Sequence, residues 1–256
     1  MQRVLTPPVV LIIAGNDPSG GAGLAADIQA VAAMGGYPAP VVAALTVQDA
    51  VDARRVEPVA AALVVEQAAF ILDRMPVAAI KLGLLATAET GSALAKLLSA
   101  HPSVPIVVDP VLRAGGGTAL AEVALLEIYR RALFPLAALA TPNGAEVQRL
   151  APNGIGELLG FGARQVLTKG ADDGTPDVVN VLHGTDGSRR EFRWPRLPGH
   201  YHGSGCTLAS AIAALLAQGI AVPEAVEQAQ GYTWRTLQAA WQIGAGQRLP
   251  NRNPSR

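Results

Sequence analysis

Short, continuously apolar segments alternate with longer segments rich in Ala and Leu over the first two thirds of the chain. Apolar residues at every position are typical of strands buried on both faces, as in a parallel sheet. The segments that we assign as strands are residues 9–14, 41–46, 78–82, 106–109, 139–141 and 165–168. Helices are predicted over residues 24–34, 60–75, 89–100, 122–133 and 145–150. The alternation predicts a three-layer α/β/α fold with a mostly parallel central sheet.

The last third of the chain follows a different pattern. Residues 177–182 and 189–194 are predicted strands, and they flank the turn Gly184-Thr185-Asp186-Gly187. Because Asp-Gly is a strong turn signal between two strands, we expect a small β-hairpin here. Two further helices are predicted, over residues 207–218 and 223–241.

The chain has the length of one large α/β domain. It contains neither an internal repeat nor a linker, so we expect residues 1–256 to form a single domain. Residues 244–256 are rich in Gly, Pro, Arg and Asn, and this composition predicts a flexible tail.

The composition excludes several classes of protein. Hydrophobic residues make up 50% of the chain and charged residues 16%, which excludes intrinsic disorder. The net charge is zero and aromatic residues are only 4%, so we expect no nucleic-acid partner. The one cysteine, Cys206, excludes an intramolecular disulfide framework. No apolar segment approaches the ~20 residues of a membrane span, so we expect a soluble cytoplasmic protein without a membrane partner.

A glycine-rich segment, residues 15–23, joins the first predicted strand to the first predicted helix. Residues 21–26 fit the loose pattern of a dinucleotide-binding loop, but that loop places its first glycine directly after the strand. Here residues 16–20 intervene, and no Walker lysine follows. Two interpretations remain open: a capped turn, or a ligand site at the carboxyl end of the first parallel strand.

A second glycine-rich segment, Gly203-Ser204-Gly205-Cys206-Thr207, opens a predicted helix. Glycines let backbone N–H groups converge at a helix N-terminus, which favours a phosphate or a developing oxyanion. In the first turn of a helix, the pKa of the Cys206 thiol is expected to fall. The alternative is a buried cysteine in a glycine-capped helix, because free cysteines are commonly buried.

Polar residues follow four of the predicted strands: Lys81, Asp109, Asn143 with Glu146, and Lys169. The carboxyl ends of parallel strands meet at one edge of the sheet, so we expect these side chains to lie close together. A lysine ammonium is suited to a phosphate contact, and carboxylate and amide oxygens are suited to Mg²⁺. His200 and His202 precede the second glycine segment and lack the spacing of a metal site. We expect both to be loop residues near the substrate.

These segments together resemble the bacterial hydroxymethylpyrimidine/phosphomethylpyrimidine kinases of thiamine biosynthesis, which belong to the ribokinase-like superfamily. The resemblance covers roughly residues 8–240 and follows the order of motifs in that family. It rests on residues 14–23 with Asp27, residues 44–48, Lys81-x-Gly83-x-Leu85, residues 108–111, Thr141-Pro142-Asn143-x-x-Glu146, Lys169-Gly170 and residues 202–208.

The resemblance implies a cytoplasmic kinase, expected to be a homodimer, that uses ATP and Mg²⁺. Its substrates would be 4-amino-5-hydroxymethyl-2-methylpyrimidine and then the monophosphate of that compound. It implies an anion hole with a cysteine base, formed by Gly203, Ser204, Gly205 and Cys206. It implies a pyrimidine site at Gly15, Asp27, Gln48 and Val111. It implies ATP-phosphate contacts from Lys169 and Asn143, and Mg²⁺ ligands from Asp109 and Glu146.

The chain also departs from the usual motifs of that family. Tyr201 stands where a threonine is usual, Gly115 where a loop lysine is usual, and Leu84 where a methionine is usual. The region between Glu146 and Gln165 is short. Two alternatives therefore stay open: a pyridoxal or pyridoxine kinase, whose substrate is also a hydroxymethyl heteroaromatic, and a non-catalytic ligand sensor with this fold. A dehydrogenase is a more remote alternative.

Overall fold

A single nine-stranded sheet organises the computed structural model, which describes residues 6–112, 118, 120–171 and 174–253. The strand order is β3-β2-β1-β4-β5-β6-β7-β8-β9. The strands are β1 Val9–Asn16, β2 Tyr37–Gln48, β3 Ala53–Pro58, β4 Val77–Leu82, β5 Ile106–Val108, β6 Leu139–Ala140, β7 Gln165–Thr168, β8 Asp177–Gly184 and β9 Arg189–Pro195. Pairing is parallel from β2 through β7 and antiparallel at β2–β3, β7–β8 and β8–β9. The predicted parallel sheet and small hairpin are confirmed.

Helices cover both faces of the sheet. They are α1 Gly23–Ala33, α2 Ala61–Arg74, α3 Ala88–Leu98, α4 Leu125–Ile128, α5 Gly144–Leu150, α6 Ile155–Gly160, α7 Ser204–Ala217 and α8 Val222–Gln238. Successive residues of β1 point to opposite faces: Val10 and Ile12 belong to a core shared with α1, α7 and α8, whereas Leu11 and Ile13 belong to a core shared with α2, α3 and α4. All four side chains are fully buried, which explains why this strand is apolar at every position.

The elements that sequence patterns miss are short or charged. Strand β3, Ala53–Pro58, has mostly exposed residues and pairs along one side only, with β2. Helix α6 was not predicted either, because its six residues include two glycines. The helix predicted over residues 122–133 is α4, continued by the wide turn Tyr129–Leu133 and the tight turn Phe134–Leu136.

The C-terminal segment is packed, and the prediction of a flexible tail is wrong for residues 247–253. The Trp241 and Leu249 backbones exchange two hydrogen bonds of 2.9 Å, and the Arg248 carbonyl accepts the His202 N–H at 2.9 Å. The Arg252 side chain is buried among polar partners. These long-range partners hold a segment whose composition alone is typical of a loop. Residues 254–256 lie outside the described residues.

Within the described ranges, the helices are all too short or too polar to cross a membrane. The expected homodimer stays a prediction.

Candidate active site

A cavity of about 610 Å³ lies at the carboxyl edge of the parallel strands. Two loops form its walls: residues 15–23, here called the first glycine loop, and Gly203–Cys206, called the second glycine loop. Among its lining residues are Gly15, Gln48, Lys81, Asp109, Val111, Asn143, Glu146, Lys169, Gly203, Ser204, Gly205 and Cys206. The structure thus brings together every residue predicted for the site except Asp27.

The two glycine loops touch each other directly. Gly203 precedes α7 with a left-handed backbone (φ +74°), and a Cβ at this position would overlap the carbonyl oxygen of Gly21. Only glycine fits this contact. The N–H groups of the first turn of α7 lack carbonyl partners within the helix, so this N-terminus presents donors and positive potential to the cavity.

Lys169 lies against the second glycine loop. A Cβ at Gly205 would come within 3.1 Å of Lys169 Nζ, so the bare Gly205 backbone leaves room for the ammonium group. Lys169 Nζ is also 2.8 Å from Asp109 Oδ1, and Thr141 donates to the same oxygen at 2.9 Å. Although burial opposes the charge on Asp109, the lysines Lys169 and Lys81 outweigh it and hold the pKa of this carboxyl below its ordinary value.

Glu146 carries a carboxyl group with a raised pKa. Burial raises its pKa to about 7, and the nearby Asp109 charge adds to this effect. Asn143 and Glu146 form a capping box at the start of α5, with both hydrogen bonds at 2.8 Å. Since the Asn143 carbonyl oxygen caps the helix, its amide –NH₂ is the group left to contact a ligand.

Cys206 sits in the first turn of α7, where the sequence predicts a lowered thiol pKa. That prediction is wrong: burial raises the pKa to about 11. The ammonium of Lys81 opposes the increase, whereas the carboxylates of Asp27 and Asp109 add to it. The helix N-terminus was visible in the sequence, but the desolvation and the two carboxylates behind the thiol were not.

Asp27 is not among the residues that line the cavity, and its contact with the substrate ring stays a prediction. Its side chain is fully buried, and both oxygens accept from Lys81 Nζ, at 2.9 and 2.8 Å. Ser210 on α7 donates to Asp27 Oδ1 at 2.7 Å. Burial disfavours the charge on Lys81, but the Asp27 carboxylate outweighs it and raises the pKa of the ammonium. Burial also raises the pKa of Asp27, but the contact of Lys81 Nζ with both carboxylate oxygens is the geometry of an ion pair.

A second polar pair joins the two glycine loops. His202 Nε2 lies 2.9 Å from Asp17 Oδ2, and both side chains are buried. Asp17 also accepts the N–H groups of Ser19 and Ala22, at 2.8 and 2.7 Å. Although burial acts against it, the His202 hydrogen bond keeps the pKa of Asp17 below its ordinary value. The sequence placed His202 near the site, but the pairing depends on the long-range contact of the two loops.

The family departures noted in the sequence have different outcomes. Tyr201 lines the cavity, and its hydroxyl donates to the Pro198 carbonyl at 2.9 Å. Leu84 also lines the cavity. Gly115 lies outside the described residues.

Comparison with solved structures identifies the class of protein first. Pyridoxal kinase from Staphylococcus aureus, solved in complex with pyridoxal, is 25% identical and superposes with a TM-score of 0.88, over 98% of this chain and 95% of its own. The fold is that of the ribokinase-like small-molecule kinases.

Within that class, the family model described as phosphomethylpyrimidine kinase matches residues 17–251. The chain belongs to this family. The hydroxymethylpyrimidine/phosphomethylpyrimidine kinase of Streptomyces coelicolor is 38% identical over 94% of this chain and 93% of its own length. The bifunctional thiamine biosynthesis protein ThiED of Geobacter sulfurreducens is also 38% identical, but this chain spans only 50% of that protein.

The buried Lys81–Asp27 pair predicts strong non-additivity in unfolding. Lys81→Met or Asp27→Leu alone leaves one buried charge without its partner, and each should cost about 3–5 kcal/mol. The double variant should cost clearly less than the sum of the two, as measured by urea unfolding. Arg190→Met, which breaks the exposed pair with Glu227, is the control and should cost less than about 1 kcal/mol. Additive single effects would contradict a paired, ionised Lys81 and Asp27.

The raised pKa of Glu146 predicts a pH-dependent penalty on folding. Between its ordinary value of 4.5 and about 7, the folded protein keeps a proton that the unfolded chain releases. Stability is therefore lost as the pH rises through this window. Glu146→Gln keeps the capping acceptor and has no group that titrates here. The free energy of unfolding of the variant, relative to the wild type, should therefore increase by about 1–3 kcal/mol as the pH rises from 4.5 to 7.5. A difference that does not vary with pH in urea unfolding would count against the raised pKa.

Proposed function

We propose that this chain uses ATP to phosphorylate the hydroxymethyl group of 4-amino-5-hydroxymethyl-2-methylpyrimidine, and then phosphorylates the resulting monophosphate to the diphosphate. Family membership and the names of the full-length relatives support this activity. The observation that carries the proposal is the second glycine loop at the start of α7, with Lys169 against Gly205 and Cys206 one residue further on.

Phosphoryl transfer requires positioning and charge stabilisation more than covalent chemistry from the protein. The N–H groups that open α7 and the Lys169 ammonium face the place where negative charge develops on the transferred group. Cys206 accepts the proton of the attacking hydroxymethyl group in its thiolate form. Because the thiol pKa is about 11, the thiolate is a minor form at neutral pH.

The substrate ring would lie at the other end of the cavity, between Gln48 and Val111. The amide of Gln48 offers a donor and an acceptor together, which complements the edge of an aminopyrimidine. Gly15 lies beside Leu84, and a Cβ there would come within 2.9 Å of the Leu84 side chain. Gly15, Leu84 and Val111 all line the cavity and give it apolar surface, which suits a flat aromatic ring.

Lys169 and Asn143 are the proposed contacts for the ATP phosphates. Both present donors to the cavity, and an isolated bridge between their backbones holds the ends of β6 and β7 together. Nucleotide complexes of a similar kinase support this assignment, since the Staphylococcus aureus pyridoxal kinase has been solved with ADP and with AMP-PCP.

The donor set also fits Mg²⁺, with Asp109 and Glu146 as its ligands. No group of three His, Cys, Asp or Glu side chains in the described ranges could hold a metal ion. Two carboxylates completed by nucleotide phosphates and water are the usual arrangement for Mg²⁺. Burial, with a smaller contribution from Asp109, raises the pKa of Glu146, and a divalent cation bound to both carboxylates would favour their ionised forms. When bound, Mg²⁺ supplies charge neutralisation at the phosphate oxygens.

A pyridoxal kinase activity is the second candidate. It is favoured by the likeness to the Staphylococcus aureus pyridoxal kinase in complex with pyridoxal, whose substrate is another hydroxymethyl heteroaromatic. An ATP-consumption assay on the hydroxymethylpyrimidine, its monophosphate and the vitamin B6 compounds separates the two candidates. Turnover of the B6 compounds alone would overturn the pyrimidine assignment.

Gln48 should determine the affinity for the pyrimidine. Gln48→Ala removes a paired donor and acceptor, worth about 1–3 kcal/mol, and should raise KM for the hydroxymethylpyrimidine by roughly 5- to 150-fold. KM for ATP should change less than about threefold. Gln67→Ala on α2, outside the cavity, is the matched control. Equal changes in both KM values would mean that Gln48 only packs.

Cys206 should control turnover and its pH dependence. Cys206→Ala should lower kcat by ~10²–10⁴-fold and leave ATP affinity nearly intact, because the backbone donors remain. In the wild type, kcat should increase with pH through the neutral range towards the pKa of about 11, as the thiolate fraction grows. Alkylation by iodoacetamide should accelerate over the same range. Near-wild-type turnover in folded Cys206→Ala would exclude the base role.

A further inference from the structure

Arg252 is the most deeply buried charged residue of the C-terminal segment, with 3% of its side chain exposed. Its guanidinium donates to three acceptors in two separate elements. Nε donates to Thr207 Oγ1 at 2.9 Å, Nη1 donates to the Gly20 carbonyl at 3.2 Å, and Nη2 donates to the Gly21 carbonyl. Thr207 follows Cys206 directly in α7, and Gly20 and Gly21 belong to the first glycine loop.

The backbone of Arg252 is itself fixed by α8. The Tyr232 hydroxyl donates to the Arg252 carbonyl at 2.9 Å, and the N–H of Asn251 donates to the Thr236 carbonyl at 3.1 Å. The guanidinium therefore projects from a rigid support. Its planar fork matches two successive carbonyls and a hydroxyl, which the single ammonium of a lysine cannot do.

Two peptide groups of the first glycine loop, Gly20–Gly21 and Gly21–Ala22, are hydrogen-bonded through both the carbonyl and the N–H. Arg252 binds the carbonyls of Gly20 and Gly21, while the N–H groups on the other side of these peptides are bound by Ser19 Oγ at 3.2 Å and Asp17 Oδ2 at 2.7 Å. Glycine peptides rotate easily, so this double fixation decides their orientation. The same Gly21 carbonyl lies directly against Gly203.

We propose that Arg252 is a positioning residue for phosphoryl transfer, which holds the two glycine loops in the register that brings Cys206 and the start of α7 to the reacting groups. Through Gly21 it sets the position of Gly203, and through Thr207 it sets the first turn of α7. The inference rests on the proposed role of the second glycine loop. The inference extends the proposed function to the C-terminal segment. Arg252 is not among the residues that line the cavity, so it would act through the two glycine loops.

The test is chemical rescue of Arg252→Ala, which leaves a cavity of the shape of a guanidinium ion. We expect kcat to fall about 100-fold, since a displacement of about 1 Å has this effect, with KM for ATP changed less than threefold. Guanidinium chloride at low millimolar concentration should increase the kcat of Arg252→Ala at least tenfold. Potassium chloride at equal ionic strength should leave it unchanged. Arg248→Ala, with an exposed side chain in the same segment, should retain wild-type kcat.

Melting curves of each variant accompany the kinetics. A folded Arg252→Ala with wild-type kcat overturns the proposal, and so does guanidinium that raises the melting temperature without raising kcat. If Arg252→Ala does not fold, Arg252→Lys replaces it: kcat at least fivefold below wild type supports the proposal, and wild-type kcat overturns it. Cys206→Ala is measured in parallel to separate the proposed base from the proposed positioning residue. Full activity of Cys206→Ala would refute the role of Cys206 as the base, whereas the loss and rescue of kcat in Arg252→Ala would still test the role of Arg252.

Discussion

The ion pair between Lys81 and Asp27 joins the three elements on which the site is built. Lys81 is on β4, Asp27 is on α1 directly behind the first glycine loop, and Ser210 on α7 donates to the same carboxylate. An unpaired ion in such a place would be very costly, so each charge keeps the other in position. The two glycine loops therefore lead into helices that are tied to one strand and to each other.

The charges of the site follow from this arrangement. Lys81 and Lys169 lie in a desolvated place with Asp109 and Glu146, and each carboxyl group responds to its own surroundings. Asp109, which is bonded to Lys169, stays ionised, whereas Glu146 holds its proton to about pH 7. A low dielectric would strengthen the donors that we propose for the phosphoryl group, and the same low dielectric keeps the Cys206 thiol protonated. Burial and the nearby Asp27 and Asp109 carboxylates together raise the thiol pKa.

The sequence predicted what depends on local pattern. Strand β7 was predicted at its observed bounds, and the glycine loops and strand-end polar residues were predicted to share one edge. It failed where distant partners decide. The family resemblance implied a ligand contact for Asp27, and no sequence pattern pairs Asp27 with Lys81. Arg252 looked like part of a loose tail because its acceptors are 45, 231 and 232 positions away. Strand β3 has no apolar pattern because it pairs on one side only.

The bond from Arg252 to the Gly20 carbonyl spans 232 positions of the chain. A chain emerging from the ribosome folds from its N-terminal part onwards, so the sheet and both glycine loops can form before this bond exists. Closing so long a loop is entropically unfavourable until its contacts are made, which places this step late in folding. We therefore expect the C-terminal segment to dock after the sheet has formed, so that the two glycine loops reach their final register in the last step of folding.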